Sequence, residues 1–468
     1  MQAGKTTFAL FFGNREFFPA SLQRAAREDM TEVLEGMGHE VLLLDEDATG
    51  YGAVKTMEEG RVYADFLREH RGEFGGVILS LPNFGDESGA VTALRDADVP
   101  ILVQAYPDAM DKMGPDSRRD SFCGKFSIMD VFHQYGLKFT ALQPHTVHPR
   151  SDAFAQNVDY FDRVCRVVNG LARMSVGAIG ARTTAFKTVR FDELALQRHG
   201  ITVETVDLAD VFARVEALDA GDARLAAKKQ ALKDYVSWEG VPDDAFDTLS
   251  RLGVVFDQLA DEFSLGAMAI RCWLELQEQL GVSPCVLLSY MNDHGMPTAC
   301  EVDVGNAVMM AALHLASGDA CTCLDWNNNY KDEWDKCILF HCGSAPQSLM
   351  TDRGHVVDHG MLIDTLGEGH SWGCNVGRLK AGRFTYGSLS TEEGQIKTYV
   401  GEGQFTGKPI PDDFFGCAGV AQIDGLQDVL QTIGYGGFRH HVSLTPGRVV
   451  GPMLHALEHY LGYDVIAV

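Results

Sequence analysis

The sequence predicts an α/β protein with two Rossmann-like parallel-sheet domains followed by a β-rich C-terminal domain. Three observations carry this. Residues 1–172 alternate short apolar runs with segments of helical period, the rhythm of a parallel sheet covered on both faces. A second alternation of the same kind begins near Ser175. Beyond about residue 317 glycine becomes frequent and the apolar runs shorten, as in an antiparallel β-rich domain. The predicted domains are 1–172, 173–316 and 317–468. A chain of 468 residues is too long for one typical core.

In the first domain Thr7–Phe12 reads as a strand and Leu22–Met37 as a helix ending at Gly38. Glu40–Leu44 is a second strand, Val54–Leu67 a helix, and Gly76–Leu81 and Pro100–Tyr106 are further buried strands. The loops after these strands carry Asn14-Arg15-Glu16, Asn83-Phe84-Gly85-Asp86 and Pro107-Asp108, and open α/β sheets bind ligands at such carboxyl ends. In the second domain Gly177–Gly180 and Ile201–Leu208 read as strands around a helix, Phe186–Arg198. Helical segments then run from about Asp210 to Leu280, and Cys285–Tyr290 reads as a strand. Val304, Val308, Ala311 and Leu315 keep helical spacing, with Gly318 where a C-cap belongs. In the third domain Ile338–His341, Phe384–Leu389 and Ile396–Gly401 are strands. A helix, Pro452–Leu461, and a last strand, Asp464–Val468, close the chain.

Composition narrows the partners. Lys plus Arg is 39 and Asp plus Glu is 65, a net charge of −26, which argues against nucleic acid and anionic membrane surfaces. No apolar run reaches the roughly 18 residues of a membrane span. Met1-Gln2-Ala3-Gly4-Lys5 leads into a strand-like run with no signal-peptide core, so a cytoplasmic protein is expected. The eleven cysteines are odd in number and scattered through apolar segments, which predicts reduced thiols. Cys321-x-Cys323 is too tight for the usual zinc spacing.

Glu301 and Asp325 are the most informative residues. Each is an acid in an apolar, small-residue frame, Ala299-Cys300-Glu301-Val302 and Cys323-Leu324-Asp325-Trp326. A carboxylate among such neighbours is costly to bury without a cation or hydrogen bonds. Thr298-Ala299-Cys300-Glu301 also fits a helix capping box. Asp325 ends a strand-like run before the polar turn Asn327-Asn328-Asn329, where an Asx-turn is the bland reading. His341 sits in an apolar strand, where a satisfied core histidine is the commoner outcome. His440 and His441 are adjacent, so on a strand at most one should face a given site. Two carboxylates and one imidazole form an oxygen-rich set with open positions, which suits Mn²⁺ or Mg²⁺, with Co²⁺ a further candidate. Such a site polarises a carbonyl, and a carboxylate beside it moves a proton between neighbouring carbons.

Cys300-Glu301-Val302-Asp303-Val304-Gly305, Leu324-Asp325-Trp326-Asn327-Asn328 and Leu339-Phe340-His341-Cys342-Gly343 together resemble the L-fucose/L-arabinose isomerase family. His440-His441-x3-Thr445-Pro446-Gly447 and Gly180-Ala181-Arg182 with Phe186-Lys187-Thr188-Val189-Arg190 fit the same family. The resemblance implies a three-domain, Mn²⁺-dependent aldose–ketose isomerase. It also implies a homo-oligomer, trimer or hexamer, in which a neighbour's first domain helps to close the active site. Glu301, Asp325 and His441 match the ligands of the fucose branch. His441 is preferred to His440 because Leu444-Thr445-x-Gly447 aligns with the segment after the ligand. His341 matches a further histidine of the arabinose branch and is a candidate ligand or substrate contact.

The expected reaction interconverts an aldose and its ketose through a cis-enediol, with Glu301 and Asp325 sharing the proton transfers. The substrate is a fucose- or arabinose-type sugar or a related deoxy- or sulfo-sugar. Arg15 and Asn83, at strand ends of the first domain, are candidate substrate contacts. Trp273, Trp372 and Tyr386 are candidates for contact with the sugar. Competing readings are a sugar-binding or regulatory protein of the same fold and a metal-dependent hydrolase. A nicotinamide-dependent oxidoreductase is disfavoured, because no G-x-G-x-x-G follows the first strand.

Overall fold

A computed structural model describes residues 4–19, 21–183 and 185–468, so the expected start of the chain at Met1–Ala3 lies outside the described residues. The chain divides into two compact units, 4–169 and 170–468. In the first, strands β1 (Phe8–Gly13), β2 (Val41–Leu43), β3 (Ala53–Val54), β4 (Gly76–Leu81) and β5 (Ile101–Ala105) form a parallel sheet of order β2-β1-β4-β5, with β3 pairing the end of β1. Both faces are covered. Ala9, Phe11, Val77, Leu79 and Val103 pack into one core, and Phe8, Leu10, Phe12, Ile78 and Leu102 into the other. That is why these strands read as continuous apolar runs rather than alternating ones. The helix read over Val54–Leu67 starts later, at Met57, because Val54 pairs in β3 and Thr56 accepts a cap bond from the Glu59 N–H at 3.2 Å.

The loops at the carboxyl ends of β1 and β4 are tied to each other. Asn83 is fully buried, and its Oδ1 accepts from the Arg15 N–H at 3.2 Å and the Gly85 N–H at 3.1 Å. The Arg15 side chain donates to the Gly85 carbonyl at 2.7 Å, pairs with Glu87 and lies over the Phe84 ring. These two predicted substrate contacts are thus engaged within their own unit.

The second unit holds two sheets. Strands β6 (Ser175–Ile179), β7 (Thr202–Val206), β8 (Ala267–Ile270) and β9 (Thr298–Cys300) are parallel in the order β7-β6-β8-β9. Strand β8 lies inside the tract read as wholly helical, since four residues are too few to break a helical pattern. The helix read over Phe186–Arg198 is a single turn, Lys187–Val189, followed by a helix, Glu193–Arg198, capped by Asp192. Cys285–Tyr290, read as a strand, belongs to a helix, Cys285–Asp293. Nearly all its residues are buried, and a short run apolar on every side carries no period.

The remaining strands are β10 (Thr322–Asn329), β11 (Lys336–His341), β12 (His355–Val357), β13 (Cys374–Arg378), β14 (Gly382–Glu392), β15 (Gln395–Phe405), β16 (Cys417–Gln422), β17 (His441–Pro446) and β18 (Asp464–Ala467). Their order is β12-β13-β16-β11-β10-β17-β14-β15-β18, and an additional β15–β16 pairing closes six of them into a barrel. Asp325 therefore sits within β10 rather than at its end. The C-terminal helix starts at Val450 and winds more widely over His455–Tyr460.

The helix Val304–Ser317 is buried almost all round and packs against β8 and β9 on one side and β14 and β17 on the other. A helix apolar on every face suits such a central position. Gly305 permits its approach, since a Cβ there would lie 2.5 Å from the Leu389 carbonyl oxygen. All eleven cysteines are free thiols. No helix among the described residues is long and apolar enough to cross a membrane.

Lys125, in the helix Ser121–Gln134, is buried with its ammonium on the His145 carbonyl at 2.8 Å. Burial pushes it down to about 8. Between that value and the ordinary lysine range the unfolded chain holds more protons, so this group makes stability rise with pH. Lys125→Met is expected to remove roughly 1–3 kcal/mol of that rise between pH 8 and 10, read as the difference in urea-denaturation free energy from the parent.

Candidate metal centre and active site

Glu301 follows β9, the edge strand of the parallel sheet, and Trp273 follows β8 beside it, so both stand at the carboxyl ends where such sheets carry function. The backbone turns sharply here. Glu301 and Val302 have φ of 62° and 57°. For a β-branched residue this left-handed conformation costs on the order of 1–3 kcal/mol. It is held by the Val302 N–H on the Ile270 carbonyl at 3.2 Å and the Asp303 N–H on the Cys300 carbonyl at 3.1 Å. The capping box read at Thr298 is therefore overturned: Thr298–Cys300 is a strand, and Asp303 caps the helix Val304–Ser317 through the Asn306 N–H at 3.0 Å. The turn aims the Glu301 carboxylate out of the sheet, and the Trp273 indole N–H donates to its Oε1 at 3.2 Å.

Asp325 and His441 are direct partners across β10 and β17, which puts their side chains on one face. His441 is completely buried, with Nδ1 on Asp303 Oδ2 at 2.7 Å. Asp303, also fully buried, accepts from the Asn306 side-chain amide at 2.7 Å and pairs with the buried Arg439. With Nδ1–H committed to Asp303, His441 presents Nε2 towards Glu301 Oε2 at 3.0 Å and Asp325 Oδ1 at 3.4 Å. A carboxylate behind a histidine in this way fixes the tautomer a metal ligand needs. His341, at the end of β11, differs: its Nδ1 accepts the Cys342 N–H at 2.9 Å, so its neutral ring carries the proton on Nε2 and presents a donor. His440 also reaches the site, with Nε2 3.5 Å from Asp325 Oδ1. It lies in the bend before β17, where strand alternation does not apply, so both adjacent histidines face the acids.

Glu301 Oε2, Asp325 Oδ1, His341 Nε2 and His441 Nε2 are all buried, and apart from the ion-pair contacts of the two acids with His440 and His441 no hydrogen bond reaches them. The ligand atoms of Asp325, His341 and His441 lie within 4.8 Å of one another, as do those of Glu301, His440 and His441. Neither group holds both acids; His441 is common to the two, and its Nε2, with Glu301 Oε2 at 3.0 Å and Asp325 Oδ1 at 3.4 Å, marks the place where these three residues would hold a divalent cation. The electrostatics agree. Burial works against ionisation of Glu301, but His441 outweighs it and holds the carboxyl down to about 2. Burial likewise opposes ionisation of Asp303, yet Arg439 and His441 keep it well below the usual carboxylate range. Burial lowers His441, while Asp303 and Glu301 overcome this and raise it to about 10. Glu301 and Asp303 are thus anionic, and the protonated His441 between them supplies the positive charge that a cation bound at its Nε2 would replace.

A cavity of about 220 Å³ adjoins Glu301. Trp273, Glu301, His341 and His359 line it, with thiols of Cys272, Cys285, Cys300 and Cys342 in its wall and Met361 and Leu362 at its mouth. Burial pushes His359 below the ordinary imidazole range. Trp372 is not among the lining residues; it is half-buried and packs on the core beside the β7-β6-β8-β9 sheet. Tyr386 is fully buried in the barrel core, edge-on to Trp326 and tilted against Phe384, so the sugar contact considered for it is overturned. Asp303, Arg439 and His359 are residues that sequence reasoning missed, and His440, set aside there in favour of His441, also reaches Asp325. Asp303 had a signal, an Asx residue directly before a helical period; Arg439 and His359 had none, since their partners are distant in the chain.

Asp303→Ala strips the charge partner from buried Arg439, and a loss of about 3–5 kcal/mol is expected in urea denaturation of the metal-free protein. Adding Arg439→Met should recover part of it. A loss below about 1 kcal/mol would mean that the pair does not hold the site together.

Comparison with known proteins bears on the whole chain. Residues 9–172 match the N-terminal domain model of fucose/sulfoquinovose isomerase, and residues 339–468 match the C-terminal domain model of L-fucose isomerase. A sulfoquinovose isomerase from Alkalicoccus urumqiensis is 24% identical over 392 residues, covering 82% of this chain and 84% of its own length. One from Priestia aryabhattai is 21% identical over 439 residues, covering 93% of each. The two domain matches fall in chain order and span more than half of the residues. The chain belongs to the fucose/sulfoquinovose isomerase family of aldose–ketose isomerases.

Proposed function

We propose that this protein interconverts a sulfonated aldose of the sulfoquinovose type and its ketose, at a site where Glu301, Asp325 and His441 hold Mn²⁺, with Mg²⁺ or Co²⁺ as alternatives. The convergence of buried carboxylate oxygens on His441 Nε2, with no hydrogen-bond partner for these atoms outside the cluster, is the observation that carries the metal reading. The sulfo-sugar is supported by the names of the relatives that align over most of the chain. A cation bound there supplies Lewis-acid polarisation of the substrate carbonyl.

The chain's own residues do the rest. The Trp273 N–H occupies Oε1 of Glu301, and Oε2 lies 3.0 Å from His441 Nε2. Glu301 and Asp325 share the proton work: one takes the proton from C2 of the open-chain aldose, giving a cis-enediol, and returns it to C1, while the other assists exchange between the two oxygens. His341 Nε2–H is placed to donate to a substrate oxygen. The thiol and aromatic wall keeps bulk water from the enediol. A homo-oligomer, trimer or hexamer, belongs to the same reading and is checked by light-scattering mass.

The test is a panel of sulfonated, deoxy and unmodified aldoses with Mn²⁺, Mg²⁺ or Co²⁺, followed by NMR in D₂O. Mass-neutral conversion of a sulfo-aldose to its ketose is expected, with deuterium entering at C1 or C2. Conversion with complete retention of substrate hydrogen would replace the enediol by a hydride shift, and no conversion of any aldose would end the isomerase reading. Glu301→Gln is expected to lower kcat by about 10²-fold or more. Chelation should abolish activity, and Mn²⁺ should restore it.

A further inference from the structure

We infer that His359 is a substrate-binding residue that grips a hydroxyl of the open sugar chain beyond C2, within the thiol-walled cavity. This rests on the isomerase reading for the identity of the sugar, but its geometry is independent of turnover.

The cavity beside Glu301 has a volume of about 220 Å³. That equals roughly seven waters at ~30 Å³ each, room for a multi-atom ligand rather than a single bridging water. Most of its wall is apolar or thiol. Two histidines interrupt that wall, His341 and His359, and each has a buried ring nitrogen without a hydrogen-bond partner, Nε2 of His341 and Nδ1 of His359. Buried polar atoms are almost always paired, so two orphans in one cavity point to a ligand that pairs them. His341 is a donor there, because its Nδ1 is taken by the Cys342 N–H. A hydroxyl both accepts and donates, so adjacent chain hydroxyls satisfy His341 and either tautomer of His359.

His359 is also held in place. It lies on the excursion between β12 and β13, and its N–H donates to Asp358 Oδ1 at 3.1 Å. Asp358 in turn accepts from the Gly369 N–H at 2.6 Å and the Ser371 N–H at 2.9 Å, and the His359 ring lies on Phe415. A buried side chain with an anchored backbone, no partner for its ring nitrogen and a shared cavity with Glu301 is pre-organised for a ligand. The cavity lining includes no lysine or arginine. A sulfonate would find no counter-charge in it, so the hydroxyl-bearing middle of the chain occupies this space and the anionic end lies elsewhere.

The experiment uses the Mn²⁺-loaded protein and six-carbon alditols, with their deoxy counterparts, as non-reacting mimics of the open chain. Calorimetric affinity is compared for the parent, His359→Ala and His359→Asn. The alanine variant should bind alditols roughly 3- to 10-fold more weakly, as expected for one lost hydrogen bond. It should also lose the parent's preference for the fully hydroxylated alditol over one deoxy analogue, while Mn²⁺ affinity is unchanged. Asparagine, whose amide reaches the Nδ1 position, should restore part of the affinity and report if alanine fails to fold. Equal alditol affinity in all three proteins, equal losses for every analogue, or no alditol binding by the parent would each overturn the assignment. Alditol binding that depends on His359 without isomerisation of any aldose would instead leave His359 in place and end the isomerase reading.

Discussion

The buried ion triad of Asp303 with Arg439 and His441 is the interaction on which the site depends. Asp303 caps the central helix, neutralises a fully enclosed guanidinium and fixes the tautomer of the histidine that faces the acids. One carboxylate thus joins the edge of the parallel sheet to the rim of the barrel. Taking such charges out of water is costly and is offset only when every lone pair is used. Asp303 meets that condition: its two oxygens receive Arg439, His441, the Asn306 N–H and the Asn306 side-chain amide. The Ser443 hydroxyl then donates to Asn306 Oδ1, extending the network along β17.

The atoms at the centre of the site, in contrast, have no hydrogen-bond partner outside the cluster. Glu301 and His441 are each anchored on one side, by Trp273 and Asp303, and their other atoms converge with Asp325 Oδ1. The backbone strain at Glu301 and Val302 is part of the same arrangement, since the left-handed pair turns the chain from strand to helix within three residues. Strain at such a point persists because packing on both sides over-determines it.

The two halves of the site come from different architectures. A parallel sheet offers residues at its carboxyl ends, which supply Trp273 and Glu301. A closed antiparallel barrel offers rigid cross-strand pairs, which supply Asp325 and His441. The Val304–Ser317 helix, apolar on every face, locks one to the other, so the geometry of the acids is set by packing rather than by loops.

Sequence alone determined the elements with a clear period or a long apolar run: strands β1, β2, β4 and β5 of the first unit, the Val304–Ser317 helix and the paired strands around Phe384 and Tyr399. It also determined the family, through the order of the Glu301, Asp325 and His441 motifs. Strand β8 and the helix Cys285–Asp293 were illegible, because a short stretch buried on all sides carries no period. Tyr386 shows the same limit for side chains: an aromatic residue in a β-rich domain looks alike whether it faces a sugar or a core. Only the tertiary structure decided that His440 and His441 face the same acids, that Asp303 rather than Thr298 caps the helix, and that Arg439 and His359 belong to the site. Each of those facts is a contact between residues far apart in the chain, and the energy of such a contact depends on burial that local sequence does not encode.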